Sequence, residues 1–214
     1  MRGLKPITLL PARERVASAL RKAIISRQIP EGEVLALDAT AQALGVSVTP
    51  VREAFQILAR DGLIELRQNK GAVVLGINED TIRQHYEMRA ALESAAVAMF
   101  MEKGADIVNV ENCVMQAREA LDAGDSSNYG NLNQSFHMEI WIGADNEKMK
   151  HALAELWNGL SMGVKTTEDE YAHKSQEEHE AIFAAMKAGE EAKACALMRR
   201  HILRSMEDML TRYC

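Results

Sequence analysis

The chain has 214 residues, 47% of them hydrophobic and 26% charged, and its formal net charge at pH 7 is −6. This is the composition of a globular protein, which excludes an intrinsically disordered or fibrous chain. The sequence has no apolar stretch approaching the ~18 residues of a membrane-spanning helix, and its first residues lack the apolar core of a signal peptide. We therefore expect no membrane partner.

The three cysteines indicate the redox environment. Cys113, Cys195 and Cys214 are odd in number and far apart, and the sequence contains no Cys-x-x-Cys pair. This spacing favours free thiols in a reducing compartment over a disulfide framework. We expect a cytoplasmic protein. Only 5% of the residues are aromatic, whereas Ala and Met are plentiful, so the chain is predicted to be mostly α-helical.

Charge is distributed unevenly along the chain. Residues 1–77 contain 11 Lys or Arg and 7 Asp or Glu, a net charge of +4, whereas residues 78–214 contain 14 and 24, a net charge of −10. An anionic partner is therefore expected for the first segment alone. The secondary-structure pattern also changes there, and we place a domain boundary between 1–77 and 78–214.

Three short helices are predicted in the first segment. The second covers residues 38–44 and ends at Gly45, and the third is capped by Ser47 or Thr49, with Pro50 in its first turn. The apolar stripes that predict the first and third helices are Val16, Leu20, Ala23 and Ile24, then Val51, Ala54, Phe55 and Leu58.

Two strand-like runs, 63–67 and 71–75, follow the third helix and are joined by a turn that contains Gly71. Three helices followed by a hairpin are typical of a winged helix-turn-helix, in which the third helix enters the major groove by its N-terminal end. The partner would be a double-stranded DNA operator. The residues expected to contact it are Ser47, Thr49 and Arg52 at the helix start and Lys70 and Gly71 in the wing turn.

Three runs of this segment, LGVSVTPVREAF at 44–55, LARDGLI at 58–64 and NKGAVV at 69–74, resemble the DNA-binding domain of GntR-family bacterial transcription regulators. The chain departs from that family at two positions. Val48 stands where the family usually has Arg, and Asp38 stands where it often has a basic residue. Two fewer positive charges should weaken phosphate attraction and shift the sequence preference.

Residues 78–214 show helical periodicity and no strand pattern, which predicts an all-α antiparallel bundle. Asn78 is expected to cap the first helix, which would end at Gly104 and bury a stripe containing Met88, Leu92, Ala95, Ala96 and Met99. The further helices are predicted at 106–123, 126–143, 146–166, 171–188 and 190–212.

Three of the six histidines share helical faces with residues expected to point inward. His137 lies one turn after Asn133, and His179 and His201 lie on apolar faces of two other helices. Three imidazoles and one oxygen form a plausible ligand set for zinc or a related metal. A buried histidine paired with a core neighbour is the alternative for each of them. The other three, His85, His151 and His173, are expected at the surface.

The runs NQSFH at 133–137, EHEAI at 178–182 and MRRHI at 198–202 resemble the metal motif of the FCD effector domain, and YEMRAALE at 86–93 resembles its opening helix. That domain accompanies the DNA-binding domain in the FadR-like branch of GntR regulators. The resemblance implies a divalent metal, zinc first and nickel or manganese as alternatives. The ligands it implies are Asn133, His137, His179 and His201, with Asn133 in place of the commoner Asp.

The same resemblance implies that the metal lies in a pocket for small organic acids. Arg89, on the opening helix, would then give the carboxylate of such an effector a second anchor. The alternative for Arg89 is an ion pair with Glu87 or Glu93 at the surface or at a domain interface.

We therefore predict a ligand-responsive, sequence-specific transcription regulator that binds DNA as a homodimer, with repression as the expected mode and no enzymatic activity. Two other hypotheses remain at this level. One is a metal-dependent hydrolase, for which Glu139 and Glu178 are the nearest general-base candidates, although both should face away from the histidines. The other is a degenerate family member that senses a metal or metabolite without binding DNA.

Overall fold

The structure, a computed structural model, describes residues 11–68, 71–125, 129–158 and 169–213. The chain divides into two compact units on either side of the Ile77-Asn78 bond. Across the described ranges no helix is both long enough and apolar enough to cross a membrane.

The first unit is a small helical domain with a three-stranded antiparallel sheet. Its elements are α1 (Ala12–Ile25), β1 (Val34–Leu35), α2 (Leu37–Leu44), α3 (Val48–Arg60), β2 (Ile64–Arg67) and β3 (Gly71–Val74). The strands lie in the order β1-β3-β2, and the β2–β3 hairpin pairs Ile64 with Val74 and Arg67 with Gly71. The predicted helices and hairpin are present. The short strand β1 was not predicted, because two residues are too few to show an alternating pattern.

The turn between α2 and α3 follows local backbone chemistry. Gly45 ends α2 in the left-handed conformation, with φ of 64°, and Ser47 is the extended residue before α3. Ser47 is therefore the N-cap residue, as predicted, but its side chain makes no capping hydrogen bond. The buried face of α3 packs against α1, and Arg21 of α1 donates to Asp61 at the end of α3 over 2.5 Å.

The second unit is a bundle of helices. The helices are α4 (Glu79–Glu102), α5 (Val108–Asp122), α6 (Tyr129–Gly143), α7 (Glu147–Asn158), α8 (Asp169–Lys187) and α9 (Glu191–Tyr213). Helix α4 packs against α9, α6 and α7, while α8 packs against α5 and α9. As predicted, Asn78 caps α4, and its side chain accepts a hydrogen bond from the Thr81 backbone N–H. The predicted helix ends at 126–128 and 159–166 lie outside the described residues.

The predicted apolar stripe of α4 was wrong in part. Met88 is 54% exposed, and Leu92, Ala95 and Met99 are only half-buried. The buried face is turned toward a different side of the helix. Its residues are Ile82, Tyr86, Arg89, Ala90, Glu93, Ala96, Val97 and Phe100. The sequence pattern did not predict this face because it contains Arg89 and Glu93, and charged residues are normally exposed unless they are paired.

Gly71 occupies a position that no other residue can take without strain. Its φ is +88°, and a Cβ there would lie 1.9 Å from the backbone oxygen of Leu35. We expect Gly71→Ala to lower the free energy of unfolding by more than about 3 kcal/mol, measured by urea titration. Gly32→Ala is the matched control, since Gly32 has φ of +84° and open space around it. It should cost only about 1 kcal/mol, and an equal loss in both variants would contradict the steric explanation.

Candidate metal centre and DNA-reading surface

Three predicted histidines converge in the interior of the second unit. His137 comes from α6, His179 from α8 and His201 from α9, and all three are buried. Each offers one ring nitrogen within 4.8 Å of the others, and the Nε2 atoms of His179 and His201 are 3.2 Å apart. We call these residues the histidine triad. The sequence placed them on inward faces, and the fold brings those faces together.

The spacing of the triad fits a metal ion. Two imidazole nitrogens at ~2.0–2.1 Å from one ion lie roughly 3.0–3.4 Å from each other, and the His179–His201 separation falls in that range. The Nε2 atom of His137 and the Oδ1 atom of Asn133, one turn earlier on α6, are both buried without a hydrogen-bond partner in the described structure. Buried polar atoms are normally paired, so an unpaired nitrogen in the triad and an unpaired oxygen one helical turn before His137 indicate a missing partner. The triad and Asn133 together could hold a metal.

Two carboxylates orient the histidines from behind. Glu93 Oε2 lies 3.1 Å from His137 Nδ1, and Glu178 Oε2 lies 2.7 Å from His201 Nδ1. A carboxylate on Nδ1 holds the proton there and leaves Nε2 with its lone pair. Both rings therefore present an unprotonated nitrogen to the centre. His179 instead stacks on Phe136, with ring centroids 4.1 Å apart and planes inclined by 19°.

Glu93 is fully buried and has four donors. Besides His137, the indole N–H of Trp141 donates to it over 2.8 Å, and Arg89 donates through Nε and Nη2 over 3.2 and 3.1 Å. Burial opposes ionisation, but these contacts outweigh it and hold the pKa of Glu93 below its usual value. We infer an ionised carboxylate whose charge Arg89 balances.

Glu178 is held in a similar way by Arg204. The guanidinium donates to Glu178 through Nε and Nη2, the shortest contact being 2.7 Å, and it also donates to Ser175 and Asp208. Burial raises the pKa of Glu178, but the hydrogen bonds from His201 and Arg204 prevail and lower it to about 2. Burial in turn lowers the pKa of all three triad histidines, that of His201 to about 4. The triad is therefore neutral at pH 7, as metal binding requires.

Arg89 is buried and not a surface residue. Its side chain is 5% exposed, it pairs with Glu93, and its guanidinium carbon lies 4.6 Å from the ring centre of Trp157. Of the two alternatives, the ion pair with Glu93 is present, inside the second unit. Its predicted contact with an effector stays a prediction.

Sequence reasoning missed Glu93 and Arg204 as residues that support the site. A signal for Glu93 existed, since it is a single acidic residue on the apolar face that also carries Ala90 and Val97. The surface prediction holds for His151 and His173 but was wrong for His85, which is half-buried with its ring edge-on to Tyr86.

The two general-base candidates of the hydrolase hypothesis do not reach the metal-facing nitrogens. Glu178 lies on the Nδ1 side of His201, opposite the nitrogen that faces the other rings. Glu139 accepts a hydrogen bond from Asn109 on α5 over 3.1 Å.

A second group of polar residues surrounds the start of α3. Ser47, Thr49 and Arg52 are all exposed there. Arg52 and Gly71 line a cleft between α3 and the hairpin. Gln56 and Arg67 also line this cleft. Lys70 lies outside the described residues, so its contact with DNA stays a prediction. Of the two departures from the family pattern, Val48 is half-buried at the start of α3, and Asp38 is exposed in the first turn of α2, next to Leu37, which lines the cleft.

Comparison with known proteins shows which family the chain belongs to. Residues 84–204 match the FCD domain, and residues 12–74 match the family described as bacterial regulatory proteins, gntR family. The chain belongs to the GntR family. It is thus a DNA-binding transcription regulator with an FCD domain, and it is not an enzyme.

Two bacterial relatives of this GntR protein cover most of its length. A probable D-xylose utilization operon transcriptional repressor of Paenarthrobacter nicotinovorans is 29% identical over 202 residues, 89% of this chain and 87% of the relative. A gluconate operon transcriptional repressor of Bacillus subtilis (strain 168) is 27% identical over 208 residues, 91% of this chain and 82% of the relative.

Two solved structures share the fold. A putative transcriptional regulator GntR from Rhodococcus sp. RHA1 aligns with a TM-score of 0.66 at 26% identity, over 94% of this chain and 99% of that one. E. coli McbR/YncC aligns with a TM-score of 0.71 at 19% identity, over 96% and 100% of the two chains. At that identity the second comparison supports the fold alone.

Zinc should stabilise this GntR protein through the histidine triad. At a free zinc concentration 100 times the dissociation constant, the gain is about 2.7 kcal/mol, observed as a higher thermal midpoint. His179→Ala should abolish the zinc-induced increase, whereas His173→Ala, an exposed histidine on the same helix, should retain it. The comparison is made within each variant, with and without zinc. A persistent increase in His179→Ala would show that zinc binds elsewhere.

Stability of the metal-free protein should fall between pH 6.5 and pH 4. The unfolded state takes up protons on its histidines near pH 6.5, while folded His201 stays neutral down to about pH 4. The unfolded state therefore binds more protons in this range, and His201 accounts for a loss on the order of 3 kcal/mol. Urea unfolding in chelator measures it.

His201→Gln should reduce this pH dependence by the share of His201 alone, because burial also lowers the pKa of His137 and His179. His151→Gln, at an exposed site, should leave it unchanged. Glu178 acts in a separate window. Because its folded pKa is lowered to about 2, its contribution is complete above pH 4.5 and is lost only as the pH falls below that value.

Proposed function

We propose that this regulator is a metal-dependent sensor of a small organic acid that controls operator binding. The observation that carries the proposal is the histidine triad: three buried, neutral imidazoles with nitrogens within 4.8 Å of one another, two of them oriented by ionised carboxylates. A cluster of this kind has a cost in a structural core, because it leaves polar atoms without partners. A bound cation removes that cost.

The proposed ligands are Asn133, His137, His179 and His201. Imidazole suits zinc, nickel and related ions, and zinc is the first choice because it has no geometric preference of its own and can expand its coordination beyond four ligands. When bound, the ion offers open coordination positions to a carboxylate. Arg89 would support the site indirectly, because it donates to Glu93, which in turn orients His137. We also propose that Arg89 contacts the carboxylate of the acid directly.

The DNA-reading residues proposed are Ser47, Thr49, Arg52, Lys70 and Gly71. Two such surfaces in a homodimer would read the two halves of a near-palindromic operator. The apolar side of α4 that carries Met88, exposed or half-buried in the single chain, offers an area that a second copy would cover. Because the two bacterial relatives are named as repressors, we propose repression as the mode. We propose the cytoplasm as the location, since three widely spaced cysteines favour a reducing compartment.

Signal transmission requires that the acid bind two arrangements of the protein with different affinity. The triad is tied to α4 by the contact between His137 and Glu93. That helix begins at Glu79, directly after the boundary between the units. A change in the metal's coordination would therefore act first on the helix that continues from the DNA-binding unit.

Arg52→Ala should weaken binding to DNA from directly upstream of the protein's own gene by about 1–3 kcal/mol, because Arg52 would lose its contact with a base edge or phosphate. Filter binding over a salt series measures this. Lys22→Ala is the matched control, since it removes an exposed positive charge of the same unit from α1. Equal losses in both variants, or no preference for this DNA over a scrambled sequence, would contradict the proposed reading surface or operator.

The sensing half of the proposal is tested in the same assay. The zinc-loaded protein is titrated with acetate, malonate and citrate, and at least one of them should change operator affinity. His179→Ala should bind the operator and show no response. A response that survives in that variant would contradict sensing at the triad. Sedimentation equilibrium of the free protein tests the homodimer.

A further inference from the structure

The proposed ligand set carries no negative charge. The three triad histidines are neutral, and the fourth ligand, Asn133, offers an amide oxygen where an aspartate would offer a carboxylate. A divalent cation held by these four side chains keeps its full charge of +2. This distinguishes the site from one with an acidic ligand, which would leave +1.

The carboxylates behind the triad do not cancel this charge, because each has its own arginine. Glu93 pairs with Arg89 at 3.1 Å, and Glu178 pairs with Arg204 at 2.7 Å. Each pair is close to neutral when viewed from the centre. Asp208 adds one negative charge on the far side of Arg204, but its side chain is 35% exposed, so solvent screens it.

The surroundings of the ion also provide little solvation. His137 and Glu93 have no exposed side-chain surface, and the aromatic rings of Phe136 and Trp157 lie against the triad. A net charge in such a place is unfavourable, and the counter-charge has to come from whatever occupies the open coordination positions. A bound monocarboxylate would leave a net charge of +1 at the centre, whereas a bound dianion would neutralise the centre.

We propose that the centre is selective for a dianionic acid, which supplies the negative charge that Asn133 omits. The inference rests on the proposed metal centre and narrows its effector to a dicarboxylate or an acid of equal charge. It also assigns Asn133 a role in selectivity. Asn133 binds the metal through a neutral and weakly binding oxygen. The effector is therefore the one anionic ligand of the proposed metal ion.

The test compares acetate with malonate, which differ by one negative charge. Both are titrated calorimetrically into the zinc-loaded wild type and into Asn133→Asp, and zinc content is measured after each titration. The wild type should bind malonate at least tenfold more tightly than acetate. The Asn133→Asp variant, nearly identical in shape, should hold zinc more tightly in competition with a chelator and lose at least tenfold in malonate affinity, so that its preference shrinks.

Asn133→Ala separates charge from coordination. It removes the oxygen and adds no charge, so it should weaken zinc binding while keeping the malonate preference. Inorganic phosphate, titrated in parallel, distinguishes a general dianion site from one that requires two carboxylates. If phosphate binds as tightly as malonate, the selectivity for a dianion is supported and the requirement for two carboxylates is contradicted.

The outcomes separate the inference from the function beneath it. An unchanged malonate preference in zinc-loaded Asn133→Asp, or equal binding of acetate and malonate by the wild type, overturns the inference while the metal centre stands. A wild type that binds zinc and neither acid overturns the inference and the organic-acid effector together. A wild type that binds no zinc overturns the proposed metal centre itself.

Discussion

The second unit is organised around one carboxylate that has no access to water. Glu93 sits in the buried face of α4 and accepts hydrogen bonds from Arg89 on its own helix and from His137 and Trp141 on α6. A buried charge without partners would be strongly destabilising, so the positions of the three donating side chains are constrained together. The guanidinium that balances Glu93 also covers the face of Trp157 on α7, which extends the constraint to a third helix.

This constraint places the site where the packing is most restricted. The Nδ1 proton of His137 is committed to Glu93, and that of His201 is committed to Glu178, which Arg204 holds in turn. The chain therefore keeps acceptor nitrogens pointed at one another in a dry interior, an arrangement that packing alone would not favour. In the first unit the polar groups are exposed instead of buried. That unit has a net positive charge, and polar side chains are exposed at the start of α3.

Local sequence patterns predicted most of the helices, the hairpin and the three inward histidines, since each depends on spacing within one element. Convergence of those histidines depends on how α6, α8 and α9 pack, which no single window contains. The buried face of α4 was misjudged because Arg89 and Glu93 satisfy each other, and a pattern of apolar residues cannot register a paired charge. His85 was placed at the surface because a polar residue is normally exposed, whereas it is half-buried in the structure.

Both tryptophans of the chain lie beside the same histidine. The indole of Trp141 is bonded to the carboxylate that orients His137, and the ring of Trp157 is 5.3 Å from the imidazole of His137. Tryptophan fluorescence, excited selectively at the red edge of the absorption band, therefore comes only from this part of the molecule. A paramagnetic ion such as Ni²⁺ in the triad would quench it at close range, so the protein contains its own optical reporter of occupancy, with no label and no DNA present.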